Sequence, residues 1–198
     1  MTKESFKAIV EAMIFASDAP LEAALLIEIL GNGLNTQNIQ EIVELLNSDY
    51  DQTERAFRIE KIAGGYCLTT RPEFSSFIKQ LYKSRTTTRL SSSSLECLAI
   101  VAIKQPVTRI EIDKIRGVNS SGCITSLLEK ELITVTGHKK TVGNPLLYGT
   151  TETFLKHLGI DRVESLPNYE KIMAVVNKSL EEKMLLIPKE GNDAQKIE

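Results

Sequence analysis

The chain has 198 residues, of which 42% are apolar and 25% charged, with no Trp and a formal net charge of -2. That composition suits a globular protein with apolar material for two modest cores, and it excludes a polybasic arm or an acidic tail, since the charges of both signs are mixed. An apolar run of the roughly 18 residues needed to cross a bilayer is also missing, so a cytoplasmic protein without membrane contact is expected.

Apolar residues at helical spacing begin at once. Phe6, Ile9, Val10, Met13 and Ile14 predict a helix over Lys3–Ser17. Asp18 offers a cap and Pro20 suits the first turn of a second helix, which carries Leu21, Leu25, Leu26, Ile29 and Leu30 and stops at Gly31. A third helix runs from Thr36 to Asp51, with Ile39, Ile42, Val43 and Leu46 inward.

The period then changes from helical to alternating. Phe57 and Ile59 alternate with Arg58 and Glu60, Ala63-Gly64-Gly65 turns the chain, and Tyr66, Leu68 and Thr70 form the returning strand. Thr70-Arg71-Pro72-Glu73 has the spacing of a capping box and opens a short helix with Phe74, Phe77, Ile78 and Leu81.

Periodicity is lost between Lys83 and Leu90, and residues 84–89 are read as a linker. Ser93-Ser94-Leu95-Glu96 resembles another capping box, followed by Leu98, Ala99, Ala102 and Ile103 on one helical face. Thr108-Arg109-Ile110-Glu111 caps the next helix, which Gly117 ends. A third helix spans Asn119–Lys130, strands follow at Leu132–Thr136 and Leu146–Tyr148, and Thr151–Leu158 closes the series. A last amphipathic helix is predicted from Ser165 to Leu180, and beyond Pro188 the polar composition predicts disorder.

The same order of elements therefore occurs twice. A shift of 86 residues lays Met13-Ile14-Phe15-Ala16 on Ala99-Ile100-Val101-Ala102, Pro20 on Pro106, Ile29 on Ile115 and Gly31 on Gly117. Three helices followed by a β-hairpin is the winged-helix variant of helix-turn-helix. The expected fold is mainly α with small β-hairpins (α+β): two tandem winged-helix domains, residues 1–83 and 90–160, and a C-terminal helix and tail over 161–198.

Winged helices often bind DNA, so the charges on the third helix matter. In the first copy it carries Glu41, Glu44, Asp49 and Asp51 and no Lys or Arg. Those carboxylates would repel a phosphate backbone. In the second copy Glu129 offsets Lys130, and the second wing offers Lys139 and Lys140, a small basic tip able to make at most weak nucleic-acid contact. A DNA-binding transcriptional regulator is thus the alternative function rather than the leading one.

Enzyme chemistry finds no footing either. Cys67, Cys97 and Cys123 lie far apart, with no histidine at ligand spacing, so no metal site or disulfide is expected. Ser91–Ser94 reads as a helix cap, and the Gly64-Gly65 and Gly143 turns lack the strand–loop–helix order of a phosphate cradle. Glu111 and Asp113, two positions apart, point to different sides of a helix. No cofactor is expected. The candidate partner-binding residues are Arg109 and Arg116, whose guanidiniums could grip carboxylates, with the polar Asn119 and Ser120; the competing reading pairs the arginines internally with Glu111 or Asp113.

Three segments carry a family resemblance: Leu98 through Pro106, Arg109, Glu111, Arg116 and Gly117 to Ser120; Gly143-Asn144-Pro145 through Tyr148-Gly149-Thr150-Thr151; and Ala63-Gly64-Gly65-Tyr66 through Arg71-Pro72-Glu73. Over about residues 5–170 the chain resembles the segregation and condensation protein B family. That resemblance implies two winged-helix domains and a non-catalytic adaptor that forms a homodimer and binds a kleisin subunit, segregation and condensation protein A. Through the kleisin it would join an SMC ATPase in chromosome condensation and segregation at cell division. It implies dimerisation by the first domain, kleisin binding by the second, and DNA met only indirectly, at the nucleoid.

Overall fold

A computed structural model describes residues 3–31, 33–82 and 89–185. The expected linker is outside the described residues except for Arg89, and so is the chain beyond residue 185. The described residues form two compact units, one before Leu90 together with Leu155–Leu166, the other of Leu90–Phe154 with residues 167–185.

The first unit runs α1 (Lys3–Ala16), β1 (Leu21–Glu22), α2 (Ala23–Leu30), α3 (Thr36–Gln52), β2 (Phe57–Ile62), β3 (Gly65–Thr70) and α4 (Ser75–Leu81). Its three helices pack around Val10, Ile14, Leu26, Ile39, Val43 and Leu46, all buried. Each such aliphatic side chain contributes about 1.5–3 kcal/mol by leaving water. The sheet, antiparallel in the order β1-β3-β2, lays Ile59 and Tyr66 on the same core. Edge strand β2 is tied to α3 by Asn47, whose side chain donates to the Ile59 carbonyl at 2.9 Å and accepts from the Ile59 amide at 2.8 Å.

The second unit repeats that plan with α5 (Ser92–Lys104), β4 (Val107–Thr108), α6 (Arg109–Arg116), α7 (Ser121–Glu129), β5 (Ile133–His138) and β6 (Leu146–Thr150). The order β4-β6-β5 matches that of the first sheet, and Val107 faces Tyr148 just as Leu21 faces Tyr66. Two helices follow in sequence, α8 (Glu152–Leu158) and α9 (Tyr169–Leu185). The fold is mainly helical with two small antiparallel sheets, a winged helix in each unit.

Several local expectations need correction. Pro20 does not start a helix: Leu21–Glu22 is first captured as a strand by Tyr66 and Gly65, and α2 begins at Ala23. Pro106 likewise precedes a strand, so each wing has three strands where the sequence suggested two. A pairing partner some 39 to 45 residues away leaves no local signal. Thr70 ends β3 rather than capping a helix, and a 3-10 turn, Pro72–Phe74, leads into α4. The cap of α5 is Ser91, accepting from the Ser94 amide at 3.1 Å, two residues earlier than expected. The Thr108–Glu111 capping box of α6 is present in both directions, and Gly117 ends that helix in the left-handed region.

Leu155–Leu166 groups with the first unit. There Asp161 accepts the Gly64 amide at 2.8 Å and Lys61 Nζ at 3.1 Å, while the Ile160 carbonyl accepts the Ala63 amide. These bonds hold a turn whose Ala63 and Gly64 both have positive φ. Burial raises the Asp161 pKa, but the Gly64 amide and Lys61 outweigh it and leave the carboxyl below its ordinary range.

Candidate partner-binding surfaces

Arg109 and Arg116 stand at the two ends of α6, with Asn119 and Ser120 just beyond it. The structure separates them. Arg116 is an internal tie: its side chain is 3% exposed, and its guanidinium meets Glu96 at 3.2 Å, Ser120 Oγ at 3.0 Å and Ser93 Oγ at 2.8 Å. Burial lowers its pKa and Glu96 raises it, with the net direction upward. Ser120 is fully buried, and its amide donates to Asp113 Oδ1 at 2.7 Å. Both residues are engaged with partners inside the unit. The internal partner of Arg116 is Glu96, on α5, rather than Glu111 or Asp113.

Arg109 and Asn119 remain on the surface. Arg109 donates to Ser121 Oγ at 2.9 Å and lies 3.8 Å from Asp113, and Asn119 accepts the Ser121 amide at 2.9 Å. Beside them is a shallow hollow of about 410 Å³ lined by Ile110, Asp113, Lys114, Gly117, Val118 and Asn119. Ile110 and Val118 are more than half exposed. The sequence reading missed both, although Ile110 interrupts the polar face of a short amphipathic helix, which was the available signal.

The basic wing tip is weaker than it looked. Lys139 Nζ lies 2.5 Å from Glu111 Oε1, so its charge is already matched, while Lys140 is exposed. Glu111 is pushed up by burial and drawn down more strongly by Lys139 and Thr108, ending below its ordinary value. In the first unit the third helix is also engaged, through Lys7–Asp49 at 2.5 Å and an Arg71–Asp51 pair.

That unit exposes a different chemistry. Phe77, on α4, is 68% exposed, Leu81 70%, and Tyr82 follows them on the surface. A separate groove of about 340 Å³ is lined by Ala8, Ala12, Phe15, Tyr50, Phe57 and Leu68. Tyr50 forms its floor, donating to Glu11 Oε1 at 2.7 Å and meeting Phe57 edge to face at 5.0 Å. Among the described residues no group of three or more His, Cys, Asp or Glu could hold a metal ion. No helix there is long and apolar enough to cross a membrane.

Residues 8–169 match the model of a family described as segregation and condensation complex subunit ScpB. The chain belongs to the ScpB family. The segregation and condensation protein B of Clostridium tetani is 42% identical over 168 residues, covering 85% of this chain and 88% of that protein. A conserved hypothetical protein from Chlorobium tepidum is similar in structure, with 42% identity, a TM-score of 0.41, and coverage of 80% of this chain and 98% of that one. A dimer of an ScpB N-terminal domain complexed with ScpA peptide matches at 28% identity and a TM-score of 0.35, over 39% of this chain and 95% of that one. As an ScpB family member, the chain is an accessory subunit of the segregation and condensation complex.

Proposed function

We propose that this ScpB family member is a non-catalytic adaptor that pairs with a second copy through its first unit and holds the kleisin, ScpA. The observation that carries the reading is the chemistry of the faces a winged helix would turn to DNA. α3 bears four carboxylates and no Lys or Arg of its own, with Asp49 and Asp51 matched by Lys7 and Arg71 from elsewhere in the unit. In the second wing Lys139 is matched by Glu111. Exposed apolar side chains lie instead on α4, beside the α1 groove and at Ile110 and Val118. Apolar surface flanked by polar rims suits a polypeptide partner rather than a polyanion. Membership of a family described as a segregation and condensation complex subunit supports ScpA as that polypeptide.

Arg109 and Asn119 belong to this proposal as the polar rim around Ile110 and Val118 on the second unit. The test is co-expression with the ScpA of the same genome, followed by gel filtration and sedimentation. A stable complex containing two copies of this chain is expected. A monomer at micromolar concentration that ignores ScpA, yet holds duplex DNA at physiological salt, overturns it.

A further inference from the structure

α9 begins at Tyr169. Within the second unit α9 packs on α5 and α6, and Val176 is buried there with 7% exposure. Lys104, in the last turn of α5, hydrogen-bonds Asn177. The contact is thin. Among residues 169–178 Val176 alone is buried, and beside it a solvent-open hollow of about 320 Å³ lies between Ala99, Ile100 and Ile115 on one side and Ile172, Val175 and Val176 on the other, with Val175 66% exposed. A helix held by so little buried apolar surface opens more readily than the core beneath it.

We propose that α9 is a detachable strap, and that the α5–α6 face beneath it is a seat for an amphipathic helix. The occupant in place defines what the seat accepts. Ile172, Val175 and Val176 recur at the spacing of one helical face, and Lys171 lies with Glu96 on the rim of the same cavity. The partner is therefore a helix presenting a basic residue, an Ile and, one turn on, a pair of Val. Such a helix competes with α9 for Ala99, Ile100 and Ile115, so α9 sets how available the seat is. This inference is independent of the ScpA reading, because its probe is the chain's own peptide.

Two measurements on the full chain test it. In native hydrogen exchange, the α9 amides are expected to be protected but to open at least roughly tenfold more often than those of α5 and α6. A common opening for all three helices, or no protection in α9, overturns the proposal. In the second, Val176→Asp, which puts a carboxylate into the apolar contact, is expected to lift α9 and let a labelled peptide of residues 167–185 bind at least roughly tenfold more tightly than to the unaltered chain. The control is Ala174→Asp, on the exposed face of α9, expected to bind the peptide no better than the unaltered chain does. Equal binding of the peptide to all three chains, or to none, overturns the proposal.

Discussion

Arg116 and Glu96 join α6 to α5 through a 3.2 Å ion pair in which the arginine is almost wholly enclosed and the glutamate is more than half exposed. The same guanidinium reaches Ser93 and Ser120, so one side chain ties together α5, α6 and the start of α7. Replacing it strands a buried hydroxyl and leaves a void. Arg116→Ala is expected to cost about 1–3 kcal/mol in urea unfolding, and Arg116→Lys most of that, since an ammonium cannot span three acceptors in a plane. An unchanged midpoint for Arg116→Ala would show the tie to be incidental.

Two glycines should respond in opposite directions. A Cβ on Gly65 would sit 2.6 Å from the Pro20 carbonyl carbon, backbone against backbone at the β1–β3 pairing, so Gly65→Ala is expected to lose about 2 kcal/mol or more. Gly122, inside α7, has open space around it, and Gly122→Ala is expected to gain about 0.5–1 kcal/mol. Thermal melts of the two variants check the pair.

Asp161 makes a pH signature. Its folded pKa is depressed, so the stability it adds is fully present above the unfolded value of about 3.9 and is lost as the pH falls through the lower folded value. Partial exposure of both partners limits the effect to about 1 kcal/mol. Urea midpoints of the unaltered chain should therefore fall more steeply below about pH 4 than those of Asp161→Asn, which keeps an oxygen for the Gly64 amide but no charge for Lys61. Parallel curves for the two chains would remove the carboxylate from the account.

The exposed row on α4 predicts an association phenotype. Phe77→Asp and Leu81→Asp are expected to shift sedimentation from dimer to monomer while leaving the circular dichroism unchanged, because both side chains are largely outside the core. A variant that remains dimeric would move the pairing surface elsewhere.

The three thiols should differ in reactivity. Burial pushes Cys97 up to about 11, and burial also raises Cys67. Cys97 is fully enclosed, so a neutral-pH alkylating reagent should modify it last and at a rate set by opening of the second unit. Alkylation of Cys97 as fast as Cys67 in the folded chain would contradict that enclosure.

Much of the architecture was legible because helical and alternating periods alternate along the chain, and because the Thr108–Glu111 box and Gly117 are local devices acting over a few residues. The errors cluster where a local pattern was overruled from a distance. Pro20 looked like a helix start until Tyr66 captured Leu21, and the second wing looked two-stranded until Tyr148 captured Val107. The candidate site was half readable: residue type and spacing brought Arg109, Arg116, Asn119 and Ser120 to attention, but spacing cannot tell which face of a helix end is inward.

By itself, then, the order of residues determined the duplicated winged-helix plan, the family, and the carboxylate-rich third helix of the first unit, since each depends on composition and short-range repetition. Which polar groups are available was decided by tertiary structure alone. Arg116 and Ser120 are consumed by Glu96 and Asp113, Lys139 is matched by Glu111, and Ile110 and Val118 are left outside. The reason is that burial and charge pairing are properties of where distant segments meet, and a side chain's chemistry is spent on whichever partner the fold delivers to it first.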